Sequence, residues 1–232
     1  MMKILALTTA GLLAIGFAAI LGGNLVQATP TFNDAIIELK SGGEAPNPPV
    51  DPNNPDNPVT PIDPDNPGTG NSGPLSIDFV PAIKFGTRKI SSKTQVYSAL
   101  NEHPYVQITD KTGSRKGWTL TATATDFISG ENNKSKILKG AQLSFLKGET
   151  NTTSSNVSNA PAISQEIVFS NKDSQVVMNA EANAGRGTWV SVWSGEATDN
   201  RKMRLSVLPG SAEAGAYSST ITWTLVSGSV VP

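Results

Sequence analysis

The chain has 232 residues, one histidine and no cysteine, which excludes disulfides, cysteine catalysis, thiolate metal sites and lipid attachment at cysteine. Its net charge of −1 hides an asymmetry: residues 29–73 carry Lys40 against seven acids, a net of −6, whereas residues 74–232 carry 16 Lys and Arg against 12 Asp and Glu, a net of +4. A mildly basic C-terminal part on an acidic segment suits an anionic partner, and it lacks the clustered basicity of a nucleic-acid binder.

Residues 1–28 carry one lysine, Lys3, continue as an apolar run from Ile4 to Leu21, and end in Val26-Gln27-Ala28. This layout predicts a secretory signal peptide cut after Ala28. The run approaches the ~20 residues that span a bilayer, but its internal glycines and small-residue end favour removal over retention as an anchor. An exported chain without cysteine must take its stability from a packed core.

Residues 29–44 form a short segment in which "DAIIELKSG" (34–42) is a candidate strand. Residues 45–73 are built from Pro, Asp, Asn and Gly, with Pro-Asp-Asn-Pro at 55–58 and again at 64–67. Proline fixes φ and bars the preceding residue from helix, so the tract predicts a stiff extended spacer. At about 3.1 Å per residue it would reach on the order of 90 Å. Gly68-x-Gly70-x-x-Gly73 matches a dinucleotide fingerprint formally. It is dismissed because a proline tract precedes it and Pro74 follows, where strand and helix are needed.

From residue 74 the apolar residues alternate at period two between turn residues, as in Met203/Leu205/Val207, Ile163/Ile167/Phe169 and Ala141/Leu143/Phe145. The pattern predicts strands near 75–80, 104–109, 117–127, 140–146, 163–169, 174–179, 186–193, 202–208 and 216–226. The expected fold is all-β: one sandwich or barrel-like domain of nine to eleven strands over 74–232, preceded by the Pro/Asp-rich linker.

Two of the four tryptophans head the same tripeptide, Trp118-Thr119-Leu120 and Trp223-Thr224-Leu225. In a strand, Trp118 and Leu120 share one face, as do Trp223 and Leu225, with the threonines opposite. Each Trp–Leu pair is then either core beneath a threonine ladder or an aromatic surface that stacks on sugars or receives a partner.

These triplets resemble the signature of the WxL domain, the wall-binding module of Gram-positive surface proteins. So do the blocks "GPLSIDFVPAIKFG" (73–86), "PYVQITDKTGSRKGWTLTA" (104–122), "LKGAQLSF" (138–145) and "PGSAEAGAYSSTITWTL" (209–225). The resemblance implies a secreted protein at the cell surface, attached non-covalently to peptidoglycan or an associated wall polymer. It also implies assembly with a membrane-anchored DUF916-type partner and with other WxL proteins. The six residues Trp118, Thr119, Leu120, Trp223, Thr224 and Leu225 are its carried-over binding motif.

Further candidates are electrostatic or aromatic. Lys111, Arg115 and Lys116 precede Trp118, and Lys84, Arg88, Lys89 and Lys93 cluster upstream; either group suits anionic wall polymers or peptide carboxylates. Trp189 and Trp193 share a strand face and form a second aromatic candidate. His103 sits in a loop beside Pro104, no carboxylate pair stands out, and "VLPGSA" lacks the remainder of a sortase signal. The reading is of a non-catalytic binding protein with no cofactor and no metal.

Overall fold

The computed structural model describes residues 35–59, 66–130, 135–169 and 172–229. The expected signal peptide lies outside the described residues. Residues from Leu39 onward form one compact unit. Fourteen strands occur among the described residues and no helix: β1 (Leu75–Phe79), β2 (Gln95–Ala99), β3 (Tyr105–Asp110), β4 (Trp118–Ala124), β5 (Ile128–Ser129), β6 (Lys136–Ile137), β7 (Gln142–Leu146), β8 (Glu149–Thr152), β9 (Ala162–Ile163), β10 (Glu166–Phe169), β11 (Gln175–Ala180), β12 (Gly187–Val192), β13 (Asn200–Val207) and β14 (Ile221–Ser227).

All strand pairing is antiparallel. Three four-stranded sheets run β1-β3-β12-β8, β10-β7-β13-β2 and β14-β4-β11-β9, beside a β5-β6 ribbon. They pack in a sandwich-like arrangement, as the alternation predicts. The count exceeds eleven through three two-residue strands and through β2 and β8. The candidate strand at 34–42 is absent from the described residues 35–42. The final strand is shorter than expected: β14 starts at Ile221, and 212–219 form an irregular wall ahead of it.

The main core draws on all three sheets through Val106, Ile108, Trp118, Leu120, Phe145, Met178, Trp193 and Met203. Phe145 is its hub, with its ring centroid 5.2 Å from Phe169, 5.5 Å from Trp193 and 6.4 Å from Trp223. These separations lie in the favourable range for aromatic pairs.

The described parts of the proline-rich tract do not extend away as a free spacer. They lie along the outer face of the β1-β3-β12-β8 sheet as a strap. Val50 packs on Phe79, Tyr105, Val190 and Val192, apolar residues that would otherwise face water. Asn47 Nδ2 donates to Ser76 Oγ (3.1 Å) and to Asp78 Oδ1 (3.0 Å), Val50 N to Gln107 Oε1 (2.9 Å) and Gln107 Nε2 to the Pro48 carbonyl (3.0 Å). Asn151 Nδ2 reaches the Pro52 carbonyl at 2.7 Å. Further on, Thr69 N donates to the Asp78 carbonyl at 2.9 Å and covers the outer edge of β1.

Asp78 is buried and accepts four hydrogen bonds, from Ser76, Asn47, Gln107 and Thr109. A buried carboxylate satisfied in this way is retained where its donors are held in place. Proline suits the strap because its missing N–H needs no partner and its fixed φ lowers the cost of ordering. Tyr105, stacked on Phe79 at 4.2 Å, has a hydroxyl that is buried without a partner among the described residues. Burial first, and the Asp51 carboxylate second, push its phenol well above the ordinary range.

Candidate functional site

A cleft of about 1160 Å³ has a floor that includes Trp223, Ile221, Phe127, Leu143, Leu205 and Tyr97. One wall is the irregular segment 80–90 and the other is 212–219. Neither wall has a ladder to hold it, so side chains and single backbone bonds do so. Leu100 N donates to the Lys84 carbonyl (2.7 Å), Lys84 N to Asn101 Oδ1 (2.8 Å), and Asn101 Nδ2 to the Ala82 carbonyl (2.9 Å). Arg88 Nε reaches the Phe85 carbonyl at 2.8 Å while its guanidinium lies 5.5 Å above the Tyr97 ring, within cation–π reach.

On the opposite wall Ser218 and Ile128 exchange backbone hydrogen bonds of 3.0 and 2.8 Å. Glu213 N donates to Tyr217 Oη at 3.1 Å. The Glu213 carboxylate pairs with Lys136 Nζ at 2.5 Å and holds that exposed amine above its ordinary range. The cleft is thus apolar and aromatic in its floor and cationic along one rim, at Lys84, Arg88 and Lys89.

The two Trp-Thr-Leu triplets are neighbours in one sheet. β14 pairs with β4 so that Leu225 faces Leu120, Thr224 faces Thr121, and Trp223 faces Ala122. β4 is central and β14 is the edge. Trp118 is 0% exposed, and its Nε1 donates to the Gly185 carbonyl at 2.9 Å. Two left-handed glycines make that seat. A Cβ on Gly117 (φ +72) would lie 2.0 Å from the Ala180 carbonyl oxygen, and one on Gly185 (φ +72) 2.7 Å from Trp118 Nε1. Trp223 is only half-buried, its ring near-parallel to Phe145 (17°) and open to the cleft.

A family model described as WxL domain surface cell wall-binding matches residues 27–228. The chain belongs to this family. Membership places the protein at the cell surface as a wall-attaching molecule, and the matched span includes the proline-rich strap. Neither a curated protein nor a solved structure matches the chain.

Three of the blocks that carry the family resemblance converge on the cleft of this WxL domain: 80–86 as a wall, Leu138 and Leu143 in the lining, and 212–223 as the other wall and part of the floor. The fourth, 104–122, supplies the buried β3 and β4 instead. Of the two basic clusters, Lys84, Arg88 and Lys89 line the cleft, whereas Lys111, Arg115 and Lys116 sit at the opposite end of the strands. There Lys111 Nζ is bound to Asn47 Oδ1 at 2.6 Å and serves the strap. Arg115 lies in the irregular loop before β4 (φ 56), its carbonyl accepting from Asn183 N.

Trp189 and Trp193 do not form an aromatic surface. They are 4% and 2% exposed, and their N–H groups are bound to the carbonyls of Arg186 (2.9 Å) and Leu146 (2.8 Å). Of the six motif residues, Trp118, Thr119 and Leu120 are interior, whereas Trp223 and Leu225 are half-buried and Thr224 is exposed. Sequence reasoning missed the 212–219 wall. Its small residues, Ala212, Ala214, Gly215 and Ala216, are the one signal for an open loop there.

Proposed function

We propose that the domain attaches the protein non-covalently to peptidoglycan, and that the Trp223 cleft is where it does so. One observation carries the reading: the single tryptophan that is half-exposed, Trp223, floors the cleft on which three of the family's blocks converge. An indole face with Phe127 and Tyr97 nearby suits the apolar faces of sugar rings and N-acetyl methyls. The Lys84, Arg88 and Lys89 rim suits carboxylates of a wall peptide or an anionic polymer.

A binding rather than hydrolytic role is supported by the lining. It holds no histidine and one carboxylate, Glu213, which is paired with Lys136, whereas glycoside hydrolysis uses two carboxyl groups across the bond. An N-terminal signal peptide removed after Ala28 belongs to the same reading.

The test is retention of the exported protein on peptidoglycan stripped of protein and teichoic acid. Wild type is retained, and Trp223→Ala is released while still folded by circular dichroism. Retention of a folded Trp223→Ala variant at wild-type level removes the cleft from the site. A second reading has the domain's main ligand as a membrane-anchored DUF916-type partner, with wall retention indirect. It is favoured by one feature, the outer side of β14, with which no strand pairs among the described residues.

A further inference from the structure

Every strand of a sheet presents backbone groups on both sides, and an edge strand leaves half of them without a ladder. At the two ends of the β4–β14 ladder, Thr125 N donates to the Thr220 carbonyl (3.0 Å) and Gly228 N to the Gly117 carbonyl (2.9 Å). Antiparallel pairs alternate between hydrogen-bonded and non-hydrogen-bonded. The inward-facing groups are therefore those of Thr222, Thr224 and Val226, and the outward-facing ones those of Ile221, Trp223 and Leu225. None of these outward groups has a backbone partner among the described residues. In the first triplet the equivalent residues do have one, since Trp118 pairs with Ala180 and Leu120 with Met178 on β11. Among the described residues β14 lacks the second paired strand that β4 possesses.

Edge strands are normally protected by brevity, charge, proline, bulges or cover. The other sheet edges use these devices. β1 is bulged between Ile77 and Phe79 and covered by Thr69, β8 and β10 have four residues and β9 two, and the partner of β2 shifts register between Asn200 and Arg204. β14 has seven residues, no charge, no proline and an unbroken register. Its Ile221–Trp223 part borders the cleft, where the side chains of an added strand would enter, and β1 approaches β14 without pairing with it.

We propose that β14 is a docking edge: an extended segment of a partner protein, alternating apolar with acidic residues, adds to the sheet along Ile221–Ser227. Its main chain pairs with Trp223 and Leu225, and its apolar side chains occupy the cleft. The acidic character follows from the rim of Lys84, Arg88 and Lys89. This inference deepens the second, partner reading above, rests on it, and assigns the cleft to the partner in place of the wall polymer.

The test uses the exported full-length protein and a short fluorescent peptide alternating Val or Ile with Glu. Two controls accompany it, one with Lys in place of Glu and one N-methylated at alternate amides. The Glu peptide binds and slows exchange of the Trp223 and Leu225 amides by about tenfold or more, while both controls bind at least about tenfold more weakly. Leu225→Pro, which removes an outward N–H and leaves the β4 ladder intact, loses peptide binding. Equal binding of the N-methylated peptide overturns the proposal, and so does protection of the two amides in the free protein. Self-association through the edge without peptide binding, or amide protection by soluble glycan fragments instead of the peptide, overturns it as well. If Leu225→Pro fails to fold, the peptide series still decides. Retention on stripped peptidoglycan is read separately: its loss with peptide binding intact sinks the wall reading, and the converse sinks this one.

Discussion

Trp118 and Trp223 share a tripeptide, a sheet and a face, and they differ in what lies beyond their strands. β4 has β14 on one side and β11 on the other, so Trp118 is enclosed and its N–H is bonded to Gly185. Among the described residues β14 pairs with β4 alone, and Trp223 looks into a cleft whose walls are loops. The same three residues therefore act as scaffold in one place and as accessible surface in the other. Position in the sheet, and not the motif itself, decides between them.

The largest effect is expected where the comparison is sharpest. Trp118→Ala removes a fully buried indole and should cost about 3–5 kcal/mol, whereas Trp223→Ala, half-buried beside an existing cleft, should cost about 1–2 kcal/mol. Thermal melts of the two variants check the ratio, and equal losses would erase the distinction. Next comes the seat of the first tryptophan. Gly185→Ala places a Cβ 2.4 Å from Ala180 Cβ and 2.7 Å from Trp118 Nε1 at φ +72, and should cost on the order of 2–4 kcal/mol. Gly210→Ala, at a similar φ of +73 but with open space around its Cβ, should cost about 1 kcal/mol from backbone strain alone. Chemical denaturation separates the two.

The strap gives a smaller effect. Asn47→Ala strips one donor from the buried Asp78 carboxylate and should cost about 1–3 kcal/mol; an unchanged denaturation midpoint would mean that the proline-rich tract is not part of the folded unit. Smaller again is Tyr105→Phe, which deletes a buried hydroxyl without a partner and should be neutral or slightly stabilising. Its pH signature is specific. The folded state holds the Tyr105 proton above the ordinary pKa of 10.0 at which the unfolded chain releases it. The contribution to stability is therefore complete below pH 10 and declines as pH rises beyond it, and the Phe variant loses that part of the decline.

Much of the fold is legible in the sequence, because strands buried on one face write a period of two. Met203, Leu205 and Val207 are buried as their alternation implies, and so are Leu143 and Phe145. β8 has no apolar residue, "ETNT", and is held by pairing with β12, so no pattern marks it. β2 leaves Val96 exposed and its alternation is mixed. The strap is illegible for a related reason: its docking uses asparagine side chains and proline carbonyls, with Val50 as the apolar contact, so composition alone reads as a free spacer.

The candidate site was half legible. Parity puts Trp118 with Leu120, and Trp223 with Leu225, on single faces, but strand order depends on contacts far apart in sequence, and centre and edge are written identically in a tripeptide. Likewise the two basic clusters look equivalent in sequence, and only topology brings Lys84, Arg88 and Lys89 to the cleft and sends Lys111 to the strap.

The most direct measurement of the central claim is the melting curve and the wall retention of Trp223→Ala, taken on the same preparation. The account predicts a melting temperature lowered by only a few degrees, in line with ~2–4 °C per kcal/mol for a domain of this size, together with loss of retention on stripped peptidoglycan. A variant that melts like wild type and is retained like wild type would contradict it.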